Sequence, residues 1–239
     1  MSDKIVLLDG HSILNRAFYG VPDLSNAEGL HTNAVYGFLN ILFKILDEEQ
    51  PQYLAVAFDL HAPTFRHKMY DQYKGTRKPM PQELREQVPV IQEVLAAMDI
   101  EIVTKEGYEA DDILGTLGRK CEAEGMEVTI VSGDRDLLQL ATDHILIRIP
   151  KTVKRVTTIE NYHTAEVLEK YSLLPKQIID LKALMGDSSD NISGVKGIGE
   201  KTAAALIKEQ GNVEQLYENL ESMKLTPSVR KKLESGHED

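Results

Sequence analysis

Two periods alternate along the first two thirds of the chain. Lys4–Leu8 is a continuous apolar run, the pattern of a strand buried on both faces, and it ends in Asp9-Gly10. Asn33–Gln50 then repeats apolar residues at helical spacing through Val35, Phe38, Leu39, Leu42 and Leu46 until Pro51 stops it. Tyr53–Phe58 reads as a second buried strand and also ends in an aspartate, Asp59. Helical spacing returns over Gln82–Met98, where Pro89 predicts a kink or break. Ile100–Thr104 is a third strand, Ala110–Gly125 a helix closed by its glycine, and Glu127–Ser132 a fourth strand leading into Gly133-Asp134. Ile145–Ile149 and Val153–Ile159 read as later strands or a hairpin at the sheet edge. This alternation predicts an α/β fold with a mostly parallel sheet flanked by helices. After about Ser172 the pattern changes to helices over Lys176–Leu184 and Glu200–Gln210, separated by a four-glycine loop, Gly186–Gly199. The expected division is a core over 1–170 and a helical subdomain over 171–239.

Composition narrows the class. The chain has 239 residues, 42% hydrophobic and 27% charged, as in ordinary globular proteins. No apolar run approaches the ~18 residues of a membrane span, and the start, MSDKIVLLDG, lacks signal-peptide anatomy. One cysteine, Cys121, allows no internal disulfide, which fits a reducing cytoplasm, and its helical position predicts a small packed hydrophobe. The net charge of −11 argues at first against a nucleic-acid partner.

The distribution of the acids reverses that inference. Asp9, Asp59 and Asp134 all follow strands, and the C-terminal strand ends of an open parallel sheet are where ligands bind. Asp136 follows two residues after Asp134, and Gly107–Asp112 (GYEADD) adds Glu109, Asp111 and Asp112 at a helix start. At ~100° per residue, Glu109 and Asp112 share a face and Asp111 turns away. So many carboxylates cannot share a pocket ionised without cations. All-oxygen ligation favours Mg²⁺ or Mn²⁺, and two such ions suit phosphodiester hydrolysis. Any one aspartate after a strand is commonly only a turn or cap residue; the conjunction carries the inference. Further along, Asp187 and Asp190 form another pair at i, i+3, and the run Gly194–Gly199 opens a helix, where backbone N–H groups can nest a phosphate without reading bases. The bland alternative is a ligand-free glycine turn between helices.

LLDGHS, AFD, YEADD, SGDRD and GDSSDNISGVKGIGEKTA, in that order, resemble the 5′-nuclease family. That family includes the 5′-nuclease domain of bacterial DNA polymerase I, the flap endonucleases and stand-alone phage 5′-exonucleases. The resemblance covers essentially the whole chain. It implies a PIN-like nuclease core, a helix–hairpin–helix-type DNA-binding subdomain and an arch over the active site. It also implies that Asp9, Asp59, Glu109, Asp111, Asp112, Asp134, Asp136, Asp187 and Asp190 bind two divalent metals. In the family the glycine hairpin commonly holds a monovalent cation, usually K⁺. Here that role falls to the backbone of Ser193, Val195 and Ile198, with Gly194, Lys196, Gly197, Gly199 and Lys201 against the duplex.

The arch candidate is residues 60–81. Arg66, Lys68, Lys74, Arg77 and Lys78 oppose Asp71 alone, a local charge of +4, with Phe65, Tyr70 and Tyr73 interleaved. Cations with aromatics fit a single-strand channel, and the resemblance makes Lys74 and Arg77 the expected contacts to the scissile phosphate. His61 and His67 are expected at the surface. Setting the nine site carboxylates aside takes the net charge from −11 to −2. The other basic residues gather in the hairpin and in the tail (Arg230, Lys231, Lys232). Ser193, Lys196 and His31 stand where the family often has proline, and the chain ends at Glu238-Asp239, inside what the family continues as further helices.

The expected function is therefore a metal-dependent 5′→3′ exonuclease and 5′-flap endonuclease. It would act as a monomer on nicked or flapped DNA, with RNA primers as a further candidate substrate, in the bacterial cytoplasm at the nucleoid, continuous with or beside a DNA polymerase. Two other classes compete. One is a non-catalytic DNA-structure-binding protein of the same fold. The other is a phosphohydrolase of small esters, which would leave the basic segment and glycine hairpin without a purpose.

Overall fold

The computed structural model describes residues 2–153 and 156–236. Lys154 and Arg155, within the expected strand Val153–Ile159, lie outside the described residues, as do Met1 and the tail His237–Asp239. Contacts along the backbone group the chain into two units. The first holds residues 1–65 and 79–163, and the second holds 66–78 and 164–239.

In the first unit, β1 (Lys4–Asp9) is followed by α1 (Gly10–Gly20), α2 (Asn33–Glu49) and β2 (Tyr53–Ala57). After α3 (Phe65–Met69), which begins at the unit's boundary, come α4 (Gln82–Arg85), α5 (Gln87–Ala97), β3 (Glu101–Val103) and α6 (Ala110–Ala123). The unit ends with β4 (Glu127–Val131), β5 (Ile145–Val153) and β6 (Val156–Tyr162). The sheet order is β3-β2-β1-β4-β5-β6. Strands β1 to β5 run parallel, and β6 pairs antiparallel with β5 at the edge.

The apolar runs occupy the middle of that sheet. Val6, Leu7, Leu8, Val56, Ile130 and Val131 are fully buried, and Phe38, Leu42 and Ile45 of α2 pack into the same core. The chain builds outward from β1 to β3, then crosses back to place β4 on the other side of β1. That reversal between β1 and β4 leaves a crevice at their C-terminal ends, the topological switch point where α/β sheets bind ligands. Asp9 ends one of those strands, and Ser132 to Asp134 follow the other.

One expected feature is corrected. The helix over Gln82–Met98 breaks at Glu86, between α4 and α5, and not at Pro89. Pro89 is the third residue of α5, where the N–H has no intrahelical acceptor to lose. Just ahead of it, fully buried Gln87 accepts from the Ala34 and Val35 N–H groups at 2.8 and 3.2 Å and donates to Asn33 Oδ1 at 3.1 Å. Gln87 thus caps α2, whose own N-cap residue Thr32 makes no side-chain capping bond. Cys121 of α6 is half-buried, less enclosed than its spacing suggests.

The second unit holds α7 (Thr164–Tyr171), α8 (Gln177–Met185), α9 (Glu200–Gln210), α10 (Val213–Glu218) and α11 (Pro227–Ser235). Leu181, Leu184, Val195, Ile198, Leu206, Ile207 and Leu233 form its apolar interior. Asn212 and Thr226 cap α10 and α11 by accepting from Gln215 and Val229 N–H groups. Residues 66–78 group with these helices.

Candidate functional site

The carboxylates of the first unit are joined by short polar links. Asp9 is 6% exposed and caps α1: its Oδ1 accepts from Ser12 N–H at 3.0 Å, and its Oδ2 accepts from Ser132 Oγ at 2.8 Å. Ser132 Oγ in turn accepts from Asp134 N–H at 3.0 Å, and Asp134 Oδ1 accepts from Asp136 N–H at 2.8 Å. The chain Asp9–Ser132–Asp134–Asp136 thus spans the crevice between β1 and β4. Ser12 Oγ accepts from Gly133 N–H at 2.8 Å, and a Cβ on Gly133 would meet that oxygen at 2.9 Å, so a side chain there would displace the Ser12 hydroxyl.

On the β2 side, exposed Asp59 accepts from Ala110 N–H at 2.7 Å, which fixes the start of α6 against β2. Glu109, 7% exposed, is the N-cap of α6 and forms a reciprocal capping box with Asp112, whose Oδ2 accepts from Glu109 N–H at 3.0 Å. Asp111 lies in the same first turn. Glu109 and Asp112 sharing one face is the arrangement the helical angle predicts.

Electrostatics set this cluster apart from ordinary surface acid. Burial, the largest cause, raises the Asp9 pKa to about 6, and repulsion from Asp59 and Asp134 adds to it, against the opposing bonds from Ser12 and Ser132. Burial pushes the His11 imidazole down, although Asp59, 3.6 Å away, pulls it up. An all-oxygen set whose buried member resists ionisation is the chemistry a hard divalent cation relieves. Among the described residues no group of three or more Asp, Glu, His or Cys side chains is gathered closely enough to hold a metal ion. Mg²⁺ does not require one, since it keeps several waters and takes one or two direct carboxylates.

In the second unit, Asp187 and Asp190 lie on a tight turn closed by Asp187 N–H to Ile192 O at 2.9 Å and Ile192 N–H to Asp187 O at 2.8 Å. Asp187 accepts from Lys182 Nζ at 2.7 Å and from Ser189 N–H and Oγ at 2.7 and 2.6 Å. Burial alone would raise its pKa, but these bonds outweigh it and hold the group down at about 2. Asp190 accepts from Arg77 Nη2 at 2.5 Å and from Tyr73 Oη at 3.0 Å. Arg77 Nε also donates to Ser189 O at 3.0 Å, and Lys74 N–H donates to Asp190 O at 2.9 Å.

The basic segment behaves less uniformly than its composition suggests. Lys68, Tyr70, Arg77 and Lys78 are exposed, and Arg66, His67 and Lys74 are half-buried. Tyr73 departs from the base-stacking expectation. It is 5% exposed, with His67 edge-on to its ring at 5.1 Å and Lys74 Nζ 5.0 Å from its centroid. Its hydroxyl holds Asp190, so its place is in the scaffold of the turn.

In the glycine hairpin, Ser193, Lys196, Gly199 and Lys201 are exposed, and the Val195 and Ile198 side chains are buried. Lys232 Nζ donates to Gly197 O at 3.0 Å, tying the tail helix to the hairpin. Gly199 leads α9 with no side-chain cap, and nothing lies within 4 Å of the position a Cβ would take. Gly194 is required for another reason. A Cβ there would lie 2.1 Å from Gly186 N, and Gly186 itself has φ +73°. Gly194→Ala is therefore expected to lower stability in urea unfolding by ~2 kcal/mol or more, through backbone displacement rather than lost ligand binding.

Pattern reasoning overlooked Ser12, Ser132 and His11, although LLDGHS and VSGD contain them. Their signal is position, next to strand-end aspartates, not composition. It also left Arg16 unremarked, whose pKa is lowered by burial and by Arg135, and which lies within 3.4 Å of the Cβ position of Gly133.

Comparison with known proteins bears on this arrangement. Residues 4–172 match the family model "5′-3′ exonuclease, N-terminal resolvase-like domain", and residues 173–239 match "5′-3′ exonuclease, C-terminal SAM fold". DNA polymerase I of Bacillus caldotenax is 52% identical over 94% of this chain and 25% of its own length. DNA polymerase I of Bacillus subtilis is 52% identical over 92% of this chain and 25% of its own length. The chain thus spans about a quarter of the length of these curated relatives. Among solved structures, bacteriophage T5 5′-exonuclease with zinc bound shares the fold at TM-score 0.75 and 24% identity, covering 98% of this chain and 85% of that one. Human GEN1 in complex with Holliday junction DNA does so at TM-score 0.61 and 16% identity, covering 98% and 56%. No helix among the described residues is long and apolar enough to cross a membrane. A strand-end carboxylate cluster on a mixed sheet, followed by a glycine hairpin in a helical unit, thus coincides with the N-terminal and C-terminal family models in turn, and the chain belongs to the 5′-3′ exonuclease family.

Proposed function

We propose that this chain is a divalent-metal-dependent nuclease that removes nucleotides and flaps from DNA 5′ ends during replication and repair. The observation that carries the reading is the linked pair Asp9 and Asp134, joined through Ser132 at the switch point of a family-member sheet, with the Asp9 pKa raised to about 6. Asp9, Asp59, Glu109, Asp111, Asp112, Asp134 and Asp136 would hold metal from the first unit, and Asp187 and Asp190 from the second. Two Mg²⁺ or Mn²⁺ ions bound there would supply an activated water and charge neutralisation at the leaving oxygen.

The chain's own residues orient and deliver. Ser132 ties the Asp9 carboxylate to the Asp134 backbone N–H, and the Asp59–Ala110 bond holds the start of α6. Arg77 and Lys74 would contact the scissile phosphate. Arg66, Tyr70 and Lys78 would follow the single strand. The hairpin backbone, with Lys196 and Lys201, would hold the duplex phosphates without reading sequence, and K⁺ at Ser193, Val195 and Ile198 would serve that grip. RNA primers, a cytoplasmic location at the nucleoid and continuity with a polymerase follow from the same reading.

The test is a labelled 5′-flap duplex incubated with Mg²⁺ or with EDTA. Cleavage in Mg²⁺ and none in EDTA is expected, with product length separating flap release from stepwise removal. Duplex binding with no product under either condition would replace the reading with a non-catalytic DNA-structure-binding role.

A further inference from the structure

We propose that Arg77 and Lys182 are resident counter-ions of the Asp190 and Asp187 pair, and that a divalent cation and a DNA phosphate bind the second unit cooperatively because the phosphate draws Arg77 away from Asp190. The inference rests on the proposed metal role of Asp187 and Asp190 and adds what controls it.

Both Asp190 oxygens are engaged, Oδ1 by Arg77 Nη2 at 2.5 Å and Oδ2 by Tyr73 Oη at 3.0 Å. Asp187 Oδ2 is engaged by Lys182 Nζ at 2.7 Å. Each carboxylate of the turn thus has a cation bonded to it, which opposes the approach of a dication. The two counter-ions are not held alike. Lys182 projects from α8, a helix anchored by the buried Leu181 and Leu184, and its side chain is 33% exposed. Arg77 lies on the 66–78 segment, and its side chain is 47% exposed, so its guanidinium can reach solvent-borne anions without unpacking the interior.

Arginine recognises carboxylate and phosphate with the same planar fork, and a phosphate that takes the Nη edge of Arg77 in a bidentate pair competes with Asp190 Oδ1 for Nη2. A phosphate that captures Arg77 leaves Asp190 without its cation and restores a negative charge to the turn. Metal affinity then rises. By reciprocity, a metal on Asp190 releases Arg77 and raises affinity for the phosphate by the same factor. Backbone bonds keep the two events coupled. Lys74 N–H to Asp190 O at 2.9 Å and Asn191 Nδ2 to Gln72 O at 2.9 Å tie the segment that would meet the strand to the turn that bears the ligands.

The experiment is Mn²⁺ binding to the intact chain, followed by electron paramagnetic resonance, which needs no catalysis. Arg77→Gln is expected to bind Mn²⁺ at the Asp187 and Asp190 turn, the weaker of the two proposed sites because resident cations oppose a dication there, ~10-fold more tightly than the parent in the absence of DNA, although the variant loses a cation suited to phosphate. Lys182→Gln should give a gain of the same sign, so the result does not depend on one variant folding. The parent should gain a similar factor when a hydrolysis-resistant single-stranded oligonucleotide is added, and Arg77→Gln should not. A gain with inorganic phosphate alone supports the exchange and assigns it to any phosphate. A gain confined to the oligonucleotide supports it and assigns it to the strand.

The combined variant Asp187→Asn with Asp190→Asn separates the two levels of the proposal. Retention of the weaker Mn²⁺ by that variant would show that the metal reading itself is wrong. If that variant loses the ion while Arg77→Gln and Lys182→Gln bind it no more tightly than the parent, the exchange is overturned and the metal site stands.

Discussion

Asp9→Asn is expected to unfold at a higher temperature than the parent in EDTA, and to lose metal-dependent cleavage of a 5′ flap by ~10³-fold or more. The two effects have one cause. Asp9 is 6% exposed, and burial with repulsion from Asp59 and Asp134 raises its pKa from 3.8 to about 6. The folded chain therefore binds this proton more tightly than the unfolded chain does. The resulting penalty is absent below pH ~4, grows between pH ~4 and ~6, and is full above that. At neutral pH it corresponds to roughly 1–3 kcal/mol, which asparagine removes while keeping an oxygen for Ser12 N–H. For a chain of this size that means a rise of roughly 3–10 °C in Tm at pH 7.5, shrinking towards zero near pH 4. Mg²⁺ should raise the Tm of the parent more than that of the variant, because in the proposed reading the parent's buried charge is a ligand. The cleavage loss reflects several kcal/mol of charge stabilisation that a metal supplies, at tenfold per ~1.4 kcal/mol. Calorimetry across pH with and without metal, alongside cleavage of the flap substrate, checks both. A variant less stable than the parent at pH 7.5 would show that Asp9 is held as a structural cap alone.

How much of this was legible in the sequence depends on what each residue's neighbours had to supply. Strands β1, β2 and β4 were readable because a strand buried on both faces must be continuously apolar, and their aspartates marked the rim. The order of those strands was not, since nothing local says that β4 crosses back beside β1. Helix α1 went unread: Gly10–Gly20 opens with a glycine and a histidine, and its N-cap is the very Asp9 taken for a ligand. The cap is observed and the ligand role is proposed, and the two are compatible because a helix N-terminus and a metal favour the same charge. Pro89 misled because the break depends on Gln87 reaching α2, a tertiary contact with no local signature. Tyr73 counted as a surface aromatic by composition, and only packing shows that its hydroxyl holds Asp190. Gly194 illustrates the same limit. The run of glycines pointed to a phosphate nest, whereas at that position the missing Cβ makes room for Gly186. The acids were visible one by one; the serines that space them and the cations that neutralise them were not.

A second large effect lies away from the acids. Arg148 is 5% exposed on β5, and its guanidinium bonds Glu49 Oε1 at 2.6 Å, Asn161 Oδ1 at 3.1 Å and Glu48. Glu49, with a side chain 10% exposed, also accepts from Lys4 Nζ at 3.0 Å and Thr129 Oγ at 3.1 Å. One carboxylate at the end of α2 thus ties together β1, β4 and β5. Arg148→Ala removes the closest cation and leaves Glu49 buried beside the half-exposed Lys4, at an expected cost of ~3–5 kcal/mol in urea unfolding. Glu48→Ala removes only an exposed partner and should cost under ~1 kcal/mol. Replacing the buried pair together, Arg148→Met with Glu49→Leu, should cost less than the two single changes combined, because no charge is stranded. Lys4 begins β1 and Asp9 ends it, a separation of ~16 Å at ~3.3 Å per residue, so the network does not share ligands with the site. Per folded molecule at 25 °C, Arg148→Ala should therefore cleave a 5′ flap as the parent does. An Arg148→Ala protein with parental stability but lost cleavage would mean that this network, too, belongs to the chemistry and not to the scaffold.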